Sequence, residues 1–240
     1  MKKLYVALLT IILSSSVYAN SPHNLFKTAQ YIFGINLHGI IHIGAFYGGE
    51  KNFYKTLNIE NVLWIEADPD TYKKLLENVK PNGTTCIAEN FAVTNENGIA
   101  KFHRTNNGQF SSLLELNLHK IIHPDVLFKE TIEVTQKRLD TYFQESQYDV
   151  KKYNVILIDV QGAELSALQG AVNTLKTIDC IIAEVNYAEL YTNGTNIWDL
   201  DKLLADQGFL RIDTVSTTCG WGDALYIKRN LLLKHSDSVK

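Results

Sequence analysis

The chain has 240 residues, with 23 Lys+Arg against 26 Asp+Glu, 45% apolar residues and 10% aromatics. That mixture excludes a collagen-like or largely disordered chain, and the length suits one large domain or at most two small ones. The formal net charge of −3 leaves no basic footprint, so nucleic acid is not expected as a partner.

The chain opens on Lys2-Lys3, an apolar run over residues 4–13 broken only by Thr10, three serines, and Val17-Tyr18-Ala19. This is the layout of a secretory signal peptide cut after Ala19. The run is shorter than the roughly 20 apolar residues that cross a bilayer. The expectation is an exported protein, periplasmic or secreted, with residues 20–240 as one domain and no stable membrane span after cleavage. A leader that leaves the chain cytoplasmic or tethered is the alternative. Cys86, Cys180 and Cys219 are too few for a disulfide framework, and their spacing does not resemble a zinc site.

Apolar runs and helical patterns then alternate. Residues 39–43 and 61–65 read as strands, 70–79 as a helix stopped at Pro81-Asn82-Gly83, and 85–88 as a third strand. Residues 154–158 and 179–185 are further strands flanking a helix over 164–175. A helix over 197–207 closes at Gly208, with Ile197, Leu200, Leu203 and Leu204 on one face. Continuous apolar strands separated by helices indicate a parallel sheet buried on both faces, a three-layer, doubly wound α/β architecture. Residues 209–215 and 224–228, joined by Gly220-Trp221-Gly222-Asp223, form a hairpin, so the last strand should run antiparallel to its neighbours. Over 98–149 the alternation lapses. Residues 99–104 and 131–135 look like strands and 113–122 like a helix, which suits a lid over the carboxyl ends of the parallel strands, where ligands bind in such sheets.

The first strand runs into Gly44-Ala45-Phe46-Tyr47-Gly48-Gly49, a turn that lets backbone approach a ligand. Glu66 ends the second strand, where an acid accepts hydrogen bonds from a ribose diol. The two together point to a ribose-bearing cofactor. The glycine fingerprint of dinucleotide sites is incomplete, which tilts the choice toward S-adenosylmethionine, a cofactor without phosphate, and leaves a nicotinamide cofactor as the alternative.

The set His42-Ile43-Gly44-Ala45, Trp64-Ile65-Glu66-Ala67-Asp68-Pro69, Asn90-Phe91-Ala92-Val93, Ser111-Ser112-Leu113, Arg138-Leu139-Asp140 and Asp159-Val160-Gln161-Gly162-Ala163-Glu164 resembles the FkbM family of methyltransferases. Ala183-Glu184-Val185, Leu190-Tyr191 and Gly222-Asp223-Ala224-Leu225-Tyr226 extend the match over about residues 39–228. The resemblance implies a Rossmann-like class I methyltransferase, with a mostly parallel seven-stranded sheet and a C-terminal antiparallel hairpin. It also implies S-adenosylmethionine-dependent O-methylation of a small molecule or glycan. The sequence departs from many members at His42, where an acid helps to hold the methionine amine, and is read as a subtype.

Methyl transfer needs alignment of the acceptor oxygen with the methyl carbon and sulfur, and a base near a weakly acidic hydroxyl. Asp159, Glu164 and Glu184 are the candidates, although an acid in a first helical turn such as Glu164 is also favoured by the helix dipole alone. The candidate cofactor residues are His42, Gly44, Ala45, Tyr47, Gly48, Glu66, Ala67, Asn90, Ala92, Ser111, Ser112, Asp159 and Gln161. Trp221 beside Asp223 is a candidate wall for the acceptor. His119 and His123 lie one helical turn apart without an evident third ligand, so no metal site is expected. A non-catalytic carbohydrate-binding or interaction protein on the same scaffold is the alternative function, because S-adenosylmethionine is made in the cytoplasm.

Overall fold

The computed structural model describes residues 22–80 and 86–232. The expected leader over residues 1–19 and the Pro81-Asn82-Gly83 stop lie outside the described residues. A seven-stranded sheet holds β1 (Gly39–Ile43), β2 (Asn61–Glu66), β3 (Cys86–Asn90), β7 (Val155–Ile158), β8 (Cys180–Asn186), β9 (Phe209–Ser216) and β10 (Trp221–Lys228). Its order is β3-β2-β1-β7-β8-β10-β9. Pairings from β3 to β8 are parallel, and β10 is antiparallel to both β8 and β9. The final strand is therefore inserted inside the sheet and leaves β9 as the edge.

The layers follow from strand alternation. Ile41, Ile43, Leu63, Ile65, Ile156 and Ile158 point to one core, which they share with α5 (Leu139–Glu145), α6 (Glu164–Gln169) and α7 (Ile197–Asp206). Ile40, Val62, Trp64, Val155 and Leu157 point to the other, against α1 (Pro22–Lys27), α2 (Lys51–Thr56) and α3 (Pro69–Val79). Every residue of β1, β7 and β8 is buried, as a strand covered on both faces requires. Helix starts are specified locally. Asp68 accepts from the backbone N–H groups of Asp70 and Thr71 ahead of Pro69, and Asn196 from those of Trp198 and Asp199.

The region expected to form a lid is a second sheet, in the order β4 (Ala92–Val93), β6 (Phe128–Lys137), β5 (Gly98–Thr105). Arg104 on β5 fastens it to the N-terminal end of α3 through Asp68 and Asp70, and bonds Glu130 of β6 within the second sheet. Its guanidinium donates to Asp68 Oδ1 at 2.8 Å, Asp70 Oδ2 at 3.0 Å and Glu130 Oε1 at 3.2 Å. The arm over 106–127 returns across the parallel strand ends, pinned by the bridges His103–Ser112 and Leu116–Tyr191.

Three expected boundaries move. Of 113–122 only α4 (His119–Ile122) is helical, because Leu116 is drawn into the bridge with Tyr191. The helix from Glu164 ends at Gln169, where a Cβ on Gly170 would stand 2.0 Å from the Thr94 carbonyl oxygen; a 3-10 turn over Thr174–Thr177 follows. Trp221 and Gly222 already belong to β10, and the hairpin turns before them, with Thr217 N–H donating to the Trp221 carbonyl.

Candidate active site

Strand order reverses between β1 and β7, and the crevice at such a switch point is where open α/β sheets bind ligands. Two tight turns build it. After β1, the Gly44 and Ala45 N–H groups both donate to the Ile65 carbonyl at 3.0 Å, while Asp159 N–H donates to Ile43 at 3.1 Å. The strands are so close here that a Cβ on Gly44, whose φ is +80°, would lie 1.8 Å from the Asp159 carbonyl oxygen. Phe46 (φ +48°) and Gln161 (φ +55°) hold left-handed backbone in the two turns. Such conformations in non-glycine residues persist where surrounding contacts fix them, and they cluster at working sites.

A cleft open to solvent lies between these turns. Glu66 forms one wall. Its two oxygens accept from Phe46 N–H at 2.8 Å and Asp68 N–H at 2.9 Å. Each keeps a further lone pair for a ligand. Burial raises its pKa to about 7 against these bonds. Ala67, Phe91, Ala92, Val93 and Phe102 make an apolar slot beside it, and Gly108, Gln109, Ser111 and Leu113 reach over from the arm over 106–127. The lining carries two acids, Glu66 and Asp159, and among the described residues no Lys or Arg.

On the β7–β8 side four carboxylates converge. One oxygen each from Asp159, Glu164 and Glu184 lie within 4.8 Å of one another. Asp223, the partner of Glu184 in the β10–β8 register, flanks them. Gln161 is the hub. Its amide donates to Asp159 Oδ1 at 2.6 Å and Glu184 Oε2 at 3.1 Å, its Oε1 accepts from the Tyr191 hydroxyl, and its backbone carbonyl accepts from Ser112 Oγ at 2.8 Å. Glu164 is fully buried; its Oε1 accepts from the N–H groups of Val160 and Gly162, both at 3.1 Å, and its Oε2 has no partner. Burial pushes the Glu164 and Asp223 carboxyls to about 7, with Asp159 adding repulsion in each case. Burial, then the neighbouring acids, hold Glu184 well above the ordinary range. Asp159 lies open to the cleft mouth, yet enclosure of its carboxyl by the cleft walls raises it, opposed first by the Gln161 bond. Among the described residues none of the four pairs with Lys or Arg.

Of the sequence candidates, Gly44, Glu66, Ala67, Ala92, Ser111, Asp159 and Gln161 line the cleft, and Glu164 and Glu184 stand behind Asp159. Others support it from outside the lining. Asn90 donates to the carbonyls of Glu66 and Ala67, at 2.8 and 3.0 Å, and so holds that strand end. Ser112 positions Gln161. Ala45 is buried, and Gly48 packs on Leu75 and Val79 of α3. Tyr47 stacks on Phe46 under Lys74 at the surface. His42 points into the opposite core, bonded through Nδ1 to the Tyr54 hydroxyl at 3.1 Å and packed on Trp64; burial lowers its pKa to about 3. His119 is buried between Phe110, His123 and Tyr191, and Trp221 packs in the apolar cluster around Leu116, Leu190 and Tyr191. Phe46, Phe102 and Gln109 were not candidates. The bulky residue inside a glycine turn was the one signal for Phe46, and the other two arrive only through the fold of the second sheet and its arm.

The model of the Methyltransferase FkbM domain matches residues 42–211. The hexuronic acid methyltransferase AglP of Haloferax volcanii is 27% identical over 146 residues, covering 61% of this chain and 53% of that protein. The 2-O-methyltransferase NoeI of Sinorhizobium fredii is 28% identical over 160 residues, covering 63% of this chain and 65% of that protein. The chain thus spans 53% and 65% of the lengths of these two relatives. Similar solved structures include the magnesium protoporphyrin IX methyltransferase of Synechocystis PCC 6803 with bound SAM, at TM-score 0.47 and 10% identity, covering 85% of this chain and 78% of that one. Another is M. capricolum TrmK with S-adenosyl-homocysteine, at TM-score 0.49 and 12% identity, covering 86% and 68%.

Proposed function

The chain belongs to the FkbM methyltransferase family, and from that premise we propose that it is an S-adenosylmethionine-dependent O-methyltransferase whose acceptor is a hydroxyl of a sugar or other small molecule. The observation that carries this reading is the cleft lining, which holds Glu66 and Asp159 and no Lys or Arg among the described residues. Such a wall suits a cation that bears a ribose, and the incomplete glycine fingerprint disfavours a nicotinamide dinucleotide.

Bound there, S-adenosylmethionine would supply a methyl group already activated by a sulfonium. Glu66 would accept from the ribose hydroxyls with the lone pairs its backbone donors leave free. The slot of Phe91, Ala92 and Phe102 suits a flat base. The residues supply little covalent chemistry; they position. Gln161, locked by Tyr191, fixes Asp159 at the crevice edge, where its carboxylate can take the acceptor's proton. A pKa raised from the usual carboxylate range brings such a base nearer neutrality, where general-base catalysis is most effective. The curated relatives act on a hexuronic acid and at a 2-O position, in the words of their names, and this supports a sugar hydroxyl as acceptor. The formal net charge of −3 supports a non-nucleic-acid substrate.

The test is turnover. Full-length protein with S-adenosylmethionine and a panel of uronic acids, hexosides and oligosaccharides should release S-adenosylhomocysteine with at least one sugar and transfer the methyl to oxygen. Release with RNA and with no sugar would refute the acceptor class.

A further inference from the structure

The four-carboxylate cluster asks for a positive charge that the protein does not supply. We propose that Asp159, Glu164 and Glu184 bind one divalent hard cation of the Mg²⁺, Mn²⁺ or Ca²⁺ class at the inner end of the cleft. Three observations converge. Oxygens from the three acids lie within 4.8 Å of one another. Two ligands of one Ca²⁺ stand at most about 5 Å apart, given Ca–O distances of about 2.3–2.6 Å, and a modest contraction brings the set to the about 4 Å that Mg²⁺ requires. Independently, Glu164 is fully buried and presents an oxygen, Oε2, without a hydrogen-bond partner, while its other oxygen is tied by two backbone N–H groups. A buried carboxylate oxygen left unbonded is costly unless a proton or an ion occupies it. Finally, none of the acids is paired with Lys or Arg among the described residues.

The chemistry of the set is selective. Carboxylates without His or Cys suit hard cations over zinc or copper. Glu164 and Glu184 are buried, whereas Asp159 opens to the cleft. Ligand positions on the cleft side would thus be left for water or for the acceptor. The role of the ion rests on the methyltransferase reading. There it would hold one or two hydroxyls of the acceptor against the cleft and lower their pKa, and the Asp159 oxygen that does not ligate the ion would take the proton. The existence of the site rests on the geometry alone.

The experiment is a Mn²⁺ titration of the purified full chain, followed by the loss of the free-ion electron paramagnetic resonance signal, without S-adenosylmethionine. One saturable site per chain is expected, weakened at least about tenfold in both Glu164→Gln and Glu184→Gln, since affinity follows ligand charge. Asp70→Asn, an exposed acid outside the cluster, should leave it unchanged. Circular dichroism and S-adenosylmethionine calorimetry in EDTA show that each variant is folded. Absence of saturable binding up to about 5 mM Mn²⁺, beyond the weakest Ca²⁺ modules, or equal binding in both folded Gln variants, overturns the proposal. A chain that binds S-adenosylmethionine but no Mn²⁺ overturns the cation site alone. One that binds Mn²⁺ but no S-adenosylmethionine upholds the site and overturns the methyltransferase reading.

Discussion

Replacing Gly44 by alanine should cost both stability and cofactor affinity, for one geometric reason. Gly44 has φ +80°, and its added Cβ would meet the Asp159 carbonyl oxygen at 1.8 Å, with the backbone carbon behind it at 2.8 Å. No side-chain rotation relieves a clash with backbone. The left-handed conformation costs an alanine about 1–2 kcal/mol, and forcing apart two packed strands adds about 1–3 kcal/mol. The sum is about 2–5 kcal/mol, read as a lower urea midpoint at unchanged slope. Because β7 must move away from β1, Asp159 moves with it, and S-adenosylmethionine affinity should fall together with stability. Gly49→Ala is the control, since nothing lies within 4 Å of the Cβ it would gain, and it should change stability by less than about 0.5 kcal/mol. If the two variants unfold at the same urea concentration, the close approach of the two strand ends is wrong, and the shape of the cleft with it.

Arg104→Met removes the partner of the nearly buried Asp68 and should cost about 3 kcal/mol, partly recovered in the Arg104→Met/Asp68→Asn double variant; equal stability of single variant and parent would show that the lid is not fastened there. Nuclear magnetic resonance of the His42 ring should show a neutral imidazole throughout pH 5–8, since burial lowers its pKa to about 3, and a midpoint near 6.5 would contradict its placement. In the ligand-free protein in EDTA, Glu66, Glu164 and Asp223 should each withdraw stability as pH rises from about 4.5 to about 7, opposed by His42, whose lowered pKa adds stability up to about pH 6.5. The folded state raises Glu66 and Glu164 from 4.5, and Asp223 from 3.8, to about 7, so at these three sites it binds more protons than the unfolded chain in that window. Glu164→Gln should remove about 3 kcal/mol of that withdrawal over the window, and an unchanged slope of thermal stability against pH would refute its burial as a carboxylate.

The sheet was legible because strands buried on both faces read as unbroken apolar runs, as residues 39–43, 155–158 and 180–185 do. Boundaries failed where a residue served tertiary packing. Ala171 and Leu175 continue an apolar pattern into the same core after the helix has ended at Gln169. Gly222 looked like a turn residue, but a Cβ there would stand 2.5 Å from the Val215 carbonyl oxygen, and glycine serves close strand packing instead. In the site, Gly44, Glu66 and Asp159 were readable from their places at strand ends. His42 was not, because alternation along β1 turns its ring toward Tyr54 and Trp64. The convergence of Asp223 with Glu184 depends on the β8–β10 register, and Tyr191 reaches Gln161 across 30 residues; neither relation has a local signal.

The central claim, an acid-walled cleft that binds S-adenosylmethionine, is tested most directly by calorimetric titration of the full chain with that compound beside the Glu66→Ala variant. The account predicts one site per chain, and at least about tenfold weaker binding in the variant, since a bond from a ribose hydroxyl to a charged acceptor is worth about 1.5–3 kcal/mol. No heat of binding at millimolar ligand, or equal affinity in the two proteins, would contradict it.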